Sequence, residues 1–260
     1  MSEYRLASEQ PKALSGIPAV DLYLAEGYRA VPGMSSQFAA AITCGLMRIQ
    51  TSLGITGHAA EIGTFQGRFF IALAHALAPG ERALGIDRFD WPDANVLDRF
   101  EENCRNHGIS PEQRITWKAD SSEISAEELL HRLGGPVRLF HIDGEHTRAA
   151  LSQDLELATA TLAEGGLIVL DDMLHPGYPT LILAVHEYLQ KHPEMAVLCV
   201  IDRETLTAAS KFVLCQQAWF KRYESVLLEE YQEHIWPMGA QFEPHWCLVF
   251  SLDTSLPALE

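Results

Sequence analysis

This 260-residue sequence predicts an α/β fold, a doubly wound sheet of seven strands, mostly parallel with an antiparallel last strand. Three observations support it. Short apolar runs end in polar or acidic residues: "HAAEIG", "RALGID", "RITWKAD", "VRLFHID" and "GLIVLDD". Helical patterns lie between most of them, and that alternation implies a parallel sheet with helices on both faces. The runs "MAVLCVID" and "KFVLCQQ" are separated by only about ten residues, whereas a parallel crossover needs about a dozen or more. They should pair antiparallel, as a sixth and a seventh strand.

The elements follow in order. Residues 1–56 read as helical and are expected to cover the sheet edge that binds a ligand, with "GYRAVPGMSS" as a loop folding over it. Residues 57–220 form the sheet core. "SAEELLHRL" opens on a capping box, Ser125 with Glu128, and "GG" closes it. "ALSQDLELATATLAEGG" reads as a helix running to its glycines, and "LILAVHEYLQKH" as another before the sixth strand. "RETLTAAS" is a turn. Residues 221–260 form a C-terminal extension with a helix, "YESVLLEEYQEHI", and an aromatic segment, "FEPHWCLVF". No linker-like stretch or repeat appears, so 1–260 is expected to be one domain.

Composition narrows the function. The formal charge is −16, with 19 basic residues scattered among 35 acidic ones, so a nucleic-acid partner is not expected. The N-terminus shows no secretory pattern, and "FAAAITCGLMRIQTSLGI" is broken by Arg48, so neither export nor a membrane span is expected. The five cysteines have no CxxC spacing, which points to reduced thiols in the cytoplasm, with Cys199 and Cys215 as packing residues.

The first strand ends in Glu61-Ile62-Gly63-Thr64-Phe65-Gln66-Gly67. A nicotinamide site would show GxGxxG with a pyrophosphate at the helix N-terminus. Here an acid replaces the first glycine and would repel a pyrophosphate. It suits a cationic ligand, and S-adenosylmethionine carries an ammonium and a sulfonium without phosphate. Asp87 ends the second strand about 20 residues beyond the turn, where an acid accepts from ribose hydroxyls. Asp120 and Ser121 follow the third strand, where an adenine amino group could sit. Alone, Asp120 would read equally well as a helix cap.

On these residues, 57–190 resembles the class I S-adenosylmethionine-dependent methyltransferases, with their acid-x-Gly-x-x-x-Gly turn, Rossmann-like sheet and reversed seventh strand. The resemblance implies a cofactor site built on Glu61, Gly63, Gly67 and Asp87; Thr64 within the turn and Asp120 and Ser121 after the third strand are expected to join it, with His141 facing the same edge and lining the pocket.

Asp143 ends the fourth strand, and Asp171 and Asp172 end the fifth. Three carboxylates on adjacent strands about 4.8 Å apart repel unless a cation such as Mg²⁺ lies among them. Otherwise one of the pair caps or binds while the other faces solvent. "HIDGEH" followed by "GGLIVLDD" resembles the metal-dependent O-methyltransferases, the catechol type and those acting on sugars and natural products. That resemblance implies Asp143, Asp171 and Asp172 as metal ligands. It also places His146 where the catechol enzyme has its lysine base. A histidine there titrates near neutral pH, with Glu145 as the alternative base. His175 and Tyr178 could touch substrate.

The expected reaction is methyl transfer to a hydroxyl of a small molecule (sugar, phenol or natural product), in a chain that could form a homo-oligomer. The alternatives are a metal-independent methyltransferase using His146, a non-catalytic methyltransferase-like binding subunit, and a nicotinamide oxidoreductase.

Overall fold

The computed structural model describes residues 14–242 and 245–255. The helices are α1 (Pro18–Glu26), α2 (Gln37–Ser52), α3 (Arg68–His75), α4 (Val96–Asn106), α5 (Ala126–Leu133), α6 (Arg148–Thr161), α7 (Leu181–Lys191) and α8 (Gln217–Glu230). The strands are β1 (His58–Ile62), β2 (Ala83–Asp87), β3 (Arg114–Lys118), β4 (Val137–Ile142), β5 (Leu162–Met173), β6 (Met195–Ile201), β7 (Ser210–Gln216), β8 (Ala240–Phe242) and β9 (His245–Phe250). Together they form one sheet in the order β3-β2-β1-β4-β5-β7-β6-β9-β8.

The sheet therefore has nine described strands, not the expected seven. The aromatic segment after α8 supplies the extra two. β9 lies parallel to β6 and β8 folds back antiparallel on β9. The β6–β7 hairpin is antiparallel as expected, with β7 inserted between β5 and β6.

Alternation along the central strands builds two cores. Ala59, Leu139 and Val169 face one layer with residues of α1, α2, α3 and α8. Ala60, Phe140 and Ile168 face the other with α5, α6 and α7. α1 and α2 thus pack on a sheet face, while residues 1–13 of the expected helical segment lie outside the described residues. The capping box of α5 forms, and Gly134 ends that helix at φ 79°.

α6 stops at Thr161, short of its glycines, because Leu162 turns extended (φ −68°, ψ 135°) and pairs with Val137 of β4. All five cysteines are buried free thiols. No helix among the described residues is long and apolar enough to cross a membrane.

Candidate active site

Register brings the chemistry to one edge. Ile62 stands opposite Ile142, and Ile142 opposite Leu170. Gly63, Asp143 and Asp171 therefore leave three neighbouring strands at the same level. Gly63 N donates to Ile86 O (2.8 Å) and Asp143 N to Ile62 O (2.9 Å). Gly63 has φ +84°, and a Cβ there would lie 1.7 Å from the carbonyl oxygen of Asp143. Only glycine allows this approach of the two turns. Gly67, at φ +92°, begins α3.

Within the turn, Thr64 is buried, and its Oγ1 has no hydrogen-bond partner among the described residues. Asp87 braces the loop, accepting Phe65 N at Oδ2 (2.8 Å) and Phe89 N at Oδ1 (2.7 Å). Burial raises its carboxyl above the ordinary range, against the pull of those two donors. Asp120 caps the short turn Ser121–Glu123, its Oδ1 accepting from Ser122 N and Oγ. The Ser122 hydroxyl holds its pKa down.

Beneath this edge runs a buried polar chain. Glu61, His141 and Asp171 project from neighbouring strands towards the α2 and α3 side, and Phe69 of α3 stacks on the His141 ring at 4.1 Å. His141 Nδ1 lies 2.8 Å from Glu61 Oε1, and its Nε2 lies 3.1 Å from Lys211 Nζ. Lys211 forms an ion pair with Asp171, and Ser35 Oγ donates to Asp171 Oδ2 at 2.8 Å.

Burial, then the Lys211 charge, pushes His141 well below its ordinary pKa, so it is neutral. Accepting from Lys211 at Nε2, it donates Nδ1–H to Glu61. Burial, then the nearby Asp143, raises the Glu61 carboxyl well above its usual value. Its second oxygen, Oε2, has no hydrogen-bond partner among the described residues.

The acids part at a bulge. Pairing between β5 and β7 shifts between Leu170 and Met173, and Asp172 takes φ +57°. Asp171 turns inward to Lys211, while Asp172 turns to His146. The group that converges is Asp143, His146 and Asp172, with one potential ligand atom from each within 4.8 Å of the others. Asp171, the other acid of the expected trio, is held instead by Lys211 and Ser35.

His146 Nε2 lies 2.7 Å from Asp172 Oδ2 and 3.8 Å from Asp143 Oδ1. It is off the line of a hydrogen bond to any described group. Burial opposes its charge, but the two carboxylates prevail and raise its pKa to about 10. Burial and the Asp171 charge raise Asp143 to about 8. For Asp171 and Asp172 burial works upward, but Lys211 and His146 respectively hold them low. Tyr178 stacks on His146 at 4.1 Å and on His175 at 4.8 Å. Glu145 is exposed.

Lys211, in β7, and Ser35, in the loop before α2, belong to no motif of their own and meet at the site only in the fold. The loop before α2 does reach the site. Arg68 Nε donates to Val31 O (2.6 Å) and pins the loop, and Ser35 touches Asp171. A cavity of about 400 Å³ lies against Leu174, two residues past Asp172, and is lined by Ile182, Phe212, Phe242 and Val249 among others.

Residues 60–173 match the family described as Methyltransferase domain. A curated mouse protein, the Transmembrane O-methyltransferase homolog, is 32% identical over 124 residues, which is 46% of this chain and 45% of that protein. The match thus spans less than half of that relative's length.

Solved structures share the fold. A Bacillus cereus O-methyltransferase in complex with SAH has TM-score 0.56 and 15% identity, covering 76% of this chain and 90% of that one. TomG from Streptomyces achromogenes, in complex with SAM, has TM-score 0.53 and 18% identity, covering 81% and 92%. CalS11, a TDP-rhamnose 3'-O-methyltransferase, has TM-score 0.54 and 18% identity, covering 70% and 80%. Residues 60–173 thus match a methyltransferase domain over part of the chain, and the chain shares the α/β fold of these solved structures.

Proposed function

We propose that this chain is an S-adenosylmethionine-dependent O-methyltransferase acting on a hydroxyl of a small molecule, with a divalent cation at the acidic cluster. The observation that carries this reading is the contact of Gly63 with the Asp143 backbone. It sets the acid-and-glycine turn directly beside the carboxylate cluster, so that donor and acceptor would meet.

Each half of the site fits its group. The unpartnered Glu61 Oε2 and Thr64 Oγ1 are buried polar atoms suited to the cationic, hydroxyl-rich S-adenosylmethionine, which would supply an electrophilic methyl group. Burial raises the Glu61 and Asp143 carboxyls, and a cationic ligand would take the place of the protons they hold. A divalent cation held by Asp143, Asp172 and His146 would lower the pKa of a bound acceptor hydroxyl and fix its position.

The chain's own residues do the rest. Gly63 keeps the turn open to close approach, and Asp87 holds the loop while offering remaining lone pairs to a ribose. Asp120 stands further round the same edge, with one oxygen free of Ser122. Without a cation, His146 stays protonated at neutral pH between its two carboxylates and cannot accept a proton. This favours the cation-assisted route over one resting on His146 alone. Glu145, exposed to solvent, is the other candidate base. The stacked Tyr178 and the apolar cavity by Leu174 would receive the acceptor's body.

The test is S-adenosylhomocysteine formation with a panel of catechols and vicinal-diol sugars, in Mg²⁺ and in EDTA. A sugar acceptor, as in the printed name of CalS11, is the first to try. Turnover is expected in Mg²⁺ and not in EDTA. Equal turnover in EDTA would remove the metal. No product from the panel, with no S-adenosylhomocysteine binding by calorimetry, would remove methyl transfer itself.

A further inference from the structure

We infer that Lys211 is a positioning residue that withdraws Asp171 from the cation site, so that Asp143, Asp172 and His146 alone hold the ion. The inference rests on the metal reading above and specifies its ligands.

Strand register sets up the withdrawal. Val169 pairs with Val213 and Leu170 with Phe212, so antiparallel counting puts Lys211 opposite Asp171. Lys211 is fully buried. Its ammonium has three N–H groups, and three partners surround it: Asp171, His141 Nε2 at 3.1 Å and Ser35 Oγ at 3.3 Å. Phe69 closes over the nitrogen at 4.7 Å.

Asp171 is equally committed. Its Oδ2 takes Lys211 and Ser35, and its Oδ1 accepts Asp172 N at 2.8 Å. A cation on Oδ2 would sit against a buried ammonium that has no route to solvent. Asp172, turned the other way by its positive φ, meets His146. One acid of the pair thus serves the fold, tying the Ser35 loop and β7 to β5, and the other serves the ion.

The experiment is Mn²⁺ binding to the full chain, followed by electron paramagnetic resonance, for the parent, D143N, D172N, H146A and the double variant D171N/K211M. Removing both members of the ion pair avoids stranding one buried charge. The double variant is expected to bind Mn²⁺ within about threefold of the parent. D143N, D172N and H146A should each lose at least about tenfold, since even outer partners of metal ligands are worth that much.

A double variant that loses Mn²⁺ as D143N does would overturn the inference and leave the metal reading standing. A parent that binds no Mn²⁺ would overturn both. If the double variant does not fold, a crystal structure of the parent with Mn²⁺ decides. Asp143, Asp172 and His146 around the ion, with Lys211 still on Asp171, is the expected result. Asp171 oxygen on the ion contradicts it.

Discussion

The turn after β1 and the turns after β4 and β5 share one sheet edge but are finished differently. The first is closed by backbone hydrogen bonds, with Phe65 and Phe89 N–H on Asp87 and Gly63 N–H on Ile86. The second is crowded with charge. Asp143, Asp172 and His146 face one another without an aligned hydrogen bond at His146 Nε2. A site completed by backbone geometry stands ready without its ligand. A site of converging charges is strained until protons or a cation balance it.

Changes to the first turn should break geometry, and changes to the second should alter electrostatics. The largest effect is expected for Gly63→Ala, which puts a methyl group into the Asp143 carbonyl at a positive φ. Stability should fall by about 3 kcal/mol or more, with S-adenosylhomocysteine binding lost, as read by urea unfolding and calorimetry. Asp87→Ala should cost about 1.5–3 kcal/mol of cofactor binding, because it removes a charged acceptor that also braces the loop. Unchanged affinity would take Asp87 out of the ligand's reach.

In the second turn the expectation concerns pH. Folded, Asp143 keeps its proton to about pH 8 and His146 to about pH 10. Unfolded, these groups titrate near their ordinary values of about 3.9 and 6.5. The folded chain therefore binds more protons between those limits. In EDTA its stability should fall as pH rises, with the His146 share lost from about pH 6.5 to 10. A Tm that climbs with pH across that window would refute the assignment.

Tyr178→Ala removes a stack worth about 0.5–1.5 kcal/mol and should raise the acceptor KM more than it changes kcat. Asp120→Ala removes a cap near solvent and should cost about 1 kcal/mol or less. A larger loss in cofactor affinity would show that Asp120 contacts the ligand.

The first turn was legible in the sequence because its logic is local. Glycine spacing, an acid at the strand end and alternating strands and helices specify it within a few dozen residues. The parallel core and the β6–β7 reversal were legible for the same reason. The fate of Asp171 was not. It depends on Lys211 and on Ser35, which is 136 residues away. β8 has three residues, too few to carry a pattern, and β9 is placed by pairing with β6, far from it in sequence. "LAEGG" looks like a helix end, but pairing of Leu162 with Val137 overrides it and α6 ends at Thr161.

The central claim is that the charged half of the edge is a cation site that must shed protons to be filled. Thermal unfolding with saturating Mg²⁺ at about pH 6.5 and about pH 8.5 tests it most directly, because a ligand set loses protons when it binds metal. The rise in Tm caused by Mg²⁺ should be larger at the higher pH, and Asp172→Asn should erase it at both. An equal rise in Asp172→Asn and the parent, or a rise that shrinks with pH, would contradict the account.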